Sequence, residues 1–169
     1  MAEMKFKFTI QPYQTEAVDS VVGVFASQPF NDHFTYRRDV EIRRDVTNWM
    51  LSDEELYMGF ANAKVQLDSG QLLENIRRIQ TRNNIKLSDS LKSGGLGVCS
   101  LDVEMETGTG KTYVYIKTIF ELNKQYGWSK FIVVVPSIAI REGVKKSFEM
   151  MKDHFRECYG KQERPFVYD

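Results

Sequence analysis

The chain has 169 residues, 42% of them hydrophobic and 12% aromatic, which suits one well-packed domain and is too short for two large ones. Its 23 Lys and Arg balance 23 Asp and Glu, so any basic face for nucleic acid must be local. No apolar run reaches the roughly 20 residues of a membrane span. The start, Met1 to Phe8, lacks a secretory pattern, and Cys99 and Cys158 lack metal or disulfide-framework spacing, so the chain reads as a cytoplasmic protein with reduced thiols.

Lys5 to Ile10 alternates in side-chain character and predicts a short strand. Gln11-Pro12 then opens a helix, because proline at a first helical position gives up an N–H that has no acceptor there. Tyr13, Ala17, Val21, Val24 and Phe25 mark its inward face to about Ala26, and Gln28-Pro29 ends it. From Phe30 to Ser69 the pattern is weakest. Arg37-Arg38 and Arg43-Arg44 interleave with Asp39, Glu41 and Asp45 as surface ion pairs, and Ser52-Asp53-Glu54-Glu55 fits a capping box for a helix over 53–64. Leu72, Leu73, Ile76 and Ile79 predict a further helix, with Arg77, Arg78 and Arg82 on its solvated face. Ser93 to Gly97 is a loop, and neither His33 nor His154 has partners at ligand spacing.

The second half is more regular. Leu101, Val103 and Met105 alternate with Asp102 and Glu104, predicting a strand that runs into Gly108, although a central parallel strand is usually apolar on both faces. A helix from Lys111 carries Val114, Ile116, Ile119, Phe120 and Leu122. Phe131 to Val135 is wholly apolar and predicts a buried strand, Pro136-Ser137 breaks it, and Ser137 caps the next helix. That helix buries Ile140, Val144, Phe148, Met151 and Phe155 at steps of three and four and stops at Gly160. Phe166 to Tyr168 begins another strand. The order strand, loop, helix, strand, helix implies right-handed crossovers onto a parallel sheet. The chain divides into a strand and helix over 1–29, a connector over 30–97 and a core over 98–169.

Between the predicted strand and helix lies Thr107-Gly108-Thr109-Gly110-Lys111-Thr112. Binding a triphosphate requires backbone N–H groups converging on oxygen atoms, which glycines permit without side-chain clashes, and a helix start behind them adds partial positive charge. In such a loop the lysine reaches the β- and γ-phosphates and the following hydroxyl ligates Mg²⁺, which makes Lys111 the candidate catalytic residue and Thr112 the candidate metal ligand. The strict pattern has glycine where this chain has Met105. The alternative is a glycine turn followed by an exposed lysine.

Three segments together resemble the Res subunit of Type III restriction enzymes, a helicase-like motor: Gln11-Pro12-Tyr13-Gln14-Thr15-Glu16-Ala17, Met105 to Val114, and Val135-Pro136-Ser137-Ile138-Ala139-Ile140-Arg141-Glu142-Gly143. The last two are specific as a pair and cover Leu101 to Phe148; the first matches less sharply. The resemblance implies an α/β fold, a RecA-like P-loop NTPase domain whose parallel sheet is flanked by helices and is incomplete at its C-terminal end. It implies ATP and Mg²⁺ as cofactors, double-stranded DNA as substrate and a methyltransferase (Mod) subunit as partner. It places adenine recognition at Gln14, whose amide offers a donor and an acceptor side by side, or else Gln14 is a solvent-facing residue at a helix start. It places a DNA-backbone contact at Ser137 and Arg141, whose bland alternative is a helix cap and a solvated arginine. The acidic strand motif of such an ATPase is absent from the sequence, so the chain alone is expected to hydrolyse ATP negligibly; Asp169, after three apolar residues, is a poor substitute. Another helicase-like translocase, a small phosphotransferase and a non-catalytic nucleotide-binding module are the other readings.

Overall fold

The computed structural model describes residues 8–30, 62–94, 97–161, 165 and 167. They form four helices: α1 (Pro12–Gly23), α2 (Ser69–Arg82), α3 (Lys111–Tyr126) and α4 (Ile138–Tyr159). Much of the predicted strand over Lys5–Ile10, the Arg37–Arg44 segment, His33, the capping box at Ser52 and its helix, and most of Phe166 to Asp169 lie outside the described residues.

The parallel sheet expected of a RecA-like α/β domain is overturned: among the described residues there are helices and no strand. A strand exists only through a ladder of hydrogen bonds to a neighbour. Among the described residues, no backbone hydrogen bond joins 101–105 or 131–135 to another segment. Within 131–135 only Phe131 packs against the core, while Ile132 is 92% and Val134 86% exposed. Their β-branched, apolar composition therefore supplied propensity without a partner, and propensity alone does not make a sheet.

The helices follow the expected pattern more closely. Pro12 sits at the N-terminus of α1, as predicted. The inward face predicted for α1 keeps Val24, which is buried, and Ala17 and Phe25, which pack against the core, but it is centred on Gln14, Val18 and Val22, whereas Tyr13 is 47% exposed. Helix α2 starts at a capping box missed in the sequence, in which Asp68 Oδ1 accepts from the Gln71 amide at 2.8 Å and Gln71 Oε1 accepts from the Asp68 amide at 3.0 Å. Its arginines are structural. Arg77 donates to the carbonyls of Ser88 and Asp89, Arg78 to Asn75 Oδ1, and Arg82 to Ser20 Oγ.

Helix α3 is central, because it is apolar on two faces. Val114, Leu122 and Tyr126 meet Val18 and Val22 of α1, together with Trp128. Two hydrogen bonds fasten that seam, Tyr126 Oη to the Val22 carbonyl at 3.0 Å and Lys117 Nζ to Thr15 Oγ1 at 3.1 Å. On the other face Tyr113, Ile116 and Phe120 meet Met151 and Phe155 of α4. Gly127 then ends α3 in a left-handed conformation, with φ at 78°. Only the C-terminal half of α4 is buried in this way; Ile138 and Ile140 at its start are exposed. A third cluster joins Val24, Leu67 and Leu72, binding α2 to the end of α1, where Asn75 Nδ2 donates to the carbonyls of Val24 and Ala26.

Phe155 is fully buried, its ring stacked on Tyr113 at 5.4 Å and Phe120 at 5.0 Å between centroids. Truncation to alanine leaves a cavity that α3 and α4 cannot both close, so Phe155→Ala lowers stability by about 3–5 kcal/mol. Urea unfolding followed by circular dichroism measures this, and a midpoint equal to that of the wild type refutes the packing account.

His154 lies on the same seam, with Nε2 3.2 Å from the Tyr113 hydroxyl and its ring against Phe8 and Phe155. Burial disfavours the imidazolium and lowers its pKa; Glu157 draws it back up, and Lys117 adds to the depression. Below the ordinary histidine value of 6.5 the unfolded chain therefore binds a proton that the folded chain resists. This contribution to stability is complete above that value and is lost as pH falls through it towards the depressed one. Urea midpoints measured between about pH 7 and about pH 5 fall more steeply for the wild type than for His154→Gln.

Candidate nucleotide-binding site

The loop Thr107 to Thr112 enters α3 through two glycines in the left-handed region, Gly108 at φ 82° and Gly110 at φ 85°. An L side chain is strained at either angle, so the sequence folds this way because those positions lack a Cβ. At Gly110 there is a second reason. A Cβ there would lie 2.5 Å from Gln14 Nε2, the space already taken by the α1 amide. Gly110 is also the N-cap residue and offers no side chain to the first-turn amides of α3. An anion is the natural partner for such amides.

The turn is tightened from within. Thr109 donates to the Glu106 carbonyl twice, through Oγ1 at 2.6 Å and through its amide at 3.4 Å. Lys111 folds back over the loop, its Nζ donating to the carbonyls of Met105 at 2.6 Å and Glu106 at 2.7 Å. Its side chain thus lies along the loop, at the mouth of α3. Thr112 is the second residue of α3, half-buried, and Thr107 is exposed. Met105, where the strict pattern has glycine, packs partly against the core formed by α1 and α3, so the departure serves the fold.

Helix α1 reaches the loop from the other side. Gln14 is buried, with Nε2 donating to the Thr109 carbonyl at 3.0 Å, and is therefore not the solvent-facing residue that the sequence left open. Tyr13 Oη donates to the same carbonyl at 3.2 Å. Sequence reasoning assigned Tyr13 to the apolar face and missed this bond; its only signal was a hydroxyl next to Gln14 at a helix start.

Ser137 and Arg141 stand elsewhere, on the first turns of α4. Ser137 Oγ accepts from the Ile140 amide at 3.3 Å, a helix cap as expected. Arg141, one turn on, lies with Nε 3.5 Å from Glu142 Oε1. The two residues share a helix face, at the positive end of the helix dipole. A hollow of about 170 Å³ at the far end of α3 is lined by Phe120, Asn123, Lys124, Cys158, Tyr159 and Lys161, and by no loop residue. Among the described residues, no cluster of His, Cys, Asp and Glu could hold a metal ion, and no helix is long and apolar enough to cross a membrane.

Comparison with known proteins adds the family. The family described as Type III restriction enzyme, res subunit, matches residues 71–165, more than half of the chain. The chain is 35% identical over 165 residues to the Type III restriction-modification enzyme EcoP15I Res subunit of Escherichia coli, covering 95% of this chain and 15% of that protein. It is 34% identical over 158 residues to the EcoPI Res subunit of Escherichia phage P1, covering 92% of this chain and 14% of that one. A shorter match, 47% identical over 62 residues, joins it to the StyLTI Res subunit of Salmonella typhimurium. The chain thus spans about a seventh of the length of the EcoP15I and EcoPI subunits. The match over 71–165 takes in the glycine-lysine loop, all of α3 and all of α4, and with it the chain belongs to the Type III restriction enzyme Res subunit family.

Proposed function

We propose that this chain is the ATP-binding portion of an ATP-dependent DNA translocase and endonuclease subunit of a Type III restriction–modification system. The observation that carries the reading is the loop itself: two left-handed glycines flank Thr109, and a lysine is laid over the turn at the mouth of α3. In this reading Thr107, Gly108, Thr109, Gly110 and Lys111 receive the triphosphate, and Thr112 holds Mg²⁺. The ion would supply neutralisation of the triphosphate's charge. Lys111 transfers its ammonium from the carbonyls of Met105 and Glu106 to phosphate oxygens. Gln14, beside the loop on α1, reads the adenine by turning its amide from Thr109 towards the base. The residues fit these groups: the glycines leave the backbone open, and lysine and threonine provide the cation and the hydroxyl.

Double-stranded DNA is the polymer on which the enzyme acts, and a Mod methyltransferase subunit is its partner. Ser137 and Arg141 are the DNA-backbone contact, supported by their shared face at a helix N-terminus. The partition into 1–29, 30–97 and 98–169 fits contacts in which the first segment supplies Gln14 and the last supplies the loop.

Titration of the chain with a fluorescent ATP analogue tests the nucleotide site. Lys111→Ala weakens binding about tenfold or more, with helicity unchanged by circular dichroism; equal affinity for the two proteins removes the proposal. Duplex DNA binding by filter retention at several salt concentrations tests the second contact. Arg141→Ala lowers affinity and reduces the salt slope by about one, and an unchanged slope excludes Arg141 from the interface.

A further inference from the structure

The Thr109 carbonyl takes two side-chain donors, and both come from consecutive residues in the first turn of α1: Tyr13 Oη at 3.2 Å and Gln14 Nε2 at 3.0 Å. A carbonyl oxygen has two lone pairs, so the pair saturates it. The residue they hold sits between Gly108 and Gly110, the two positions at which the loop backbone is least restrained by side chains. Within the nucleotide-binding reading above, Gln14 has a second duty, because pairing with a base turns its amide towards the ligand. Tyr13 has none of that kind. Its ring is 47% exposed, and among the described residues it stacks on no other aromatic ring, so its hydroxyl contact with Thr109 is what ties it to the site.

We propose that Tyr13 is a positioning residue for the phosphate loop: its phenol holds the Thr109 carbonyl, so that the backbone from Gly108 to Lys111 keeps its shape while Gln14 serves the base. The inference rests on the nucleotide-binding reading and adds to it a residue that touches neither base nor phosphate. Loss of the hydroxyl frees the turn, and the polyphosphate then bears the cost of ordering it. The penalty falls on phosphate binding itself and is blind to the base.

The test compares the wild-type chain, Tyr13→Phe and Lys111→Ala. Each is titrated with a fluorescent ATP analogue, which is then displaced by ATP or by inorganic tripolyphosphate. Tyr13→Phe is expected to weaken ATP and tripolyphosphate by the same factor, about threefold to tenfold, the range of one neutral hydrogen bond, with the thermal midpoint unchanged. Weakened ATP with unchanged tripolyphosphate makes the ring a base contact and overturns the proposal. Affinities equal to the wild type for both ligands overturn it as well, while a loss in Lys111→Ala shows in the same experiment that the nucleotide site stands. If Lys111→Ala also binds like the wild type, both readings fall together.

Discussion

The burial of α3 on two faces is the constraint from which the rest follows. Ile116 and Val18 are fully buried, as is Phe155, and these side chains lie on three different helices. A helix covered on opposite sides by apolar contacts cannot rotate or slide without exposing one of them, at a cost of about 25 cal/mol for each Å² of apolar surface returned to water. The N-terminus of α3 is thereby held in place, and the glycine loop at that end inherits a fixed base. The same burial brings α1 alongside, which is why residues nearly a hundred positions apart in sequence meet at Thr109.

Within the loop the bonds are concentrated on two carbonyls. Glu106 receives the Thr109 hydroxyl, the Thr109 amide and the Lys111 ammonium, and Thr109 receives the two donors from α1. A turn built in this way needs few side chains of its own. The missing Cβ at Gly110 matters to both partners: it permits the left-handed backbone and leaves the room into which Gln14 inserts. The loop and the first turn of α1 are accordingly one unit, although the sequence separates them widely.

The sequence made the described helices legible, and the glycine turn before α3 with them, because both depend on local signals. Pro12, the Ser137 cap and Gly160 are boundary residues whose effect is confined to one turn, and the periodicity of α4 identified Met151 and Phe155 correctly. The glycine-lysine-threonine run carries its own conformational demand and was found for the same reason. The sheet was not legible, since a strand depends on what lies beside it. Phe131 to Val135 has the composition of a buried strand, yet composition reports only that a partner would be welcome. The face of α1 was misjudged for a related reason. Tyr13 and Gln14 both donate to the carbonyl of half-buried Thr109 on a distant segment, and Gln14 alone is buried there, which no hydrophobic pattern registers.

The posture of Lys111 bears on which ligands the loop can hold. Its ammonium already has two oxygen partners, so an incoming anion displaces existing bonds instead of meeting a bare charge. In the proposed role the lysine would act as its own tethered rival, discounting every ligand's affinity by the same fixed amount. A chain of three phosphates offers several oxygens to recover that loss, whereas a monophosphate recovers little of it. In the proposed nucleotide-binding role, this posture of Lys111 would favour long polyphosphates over short ones, before any base is recognised.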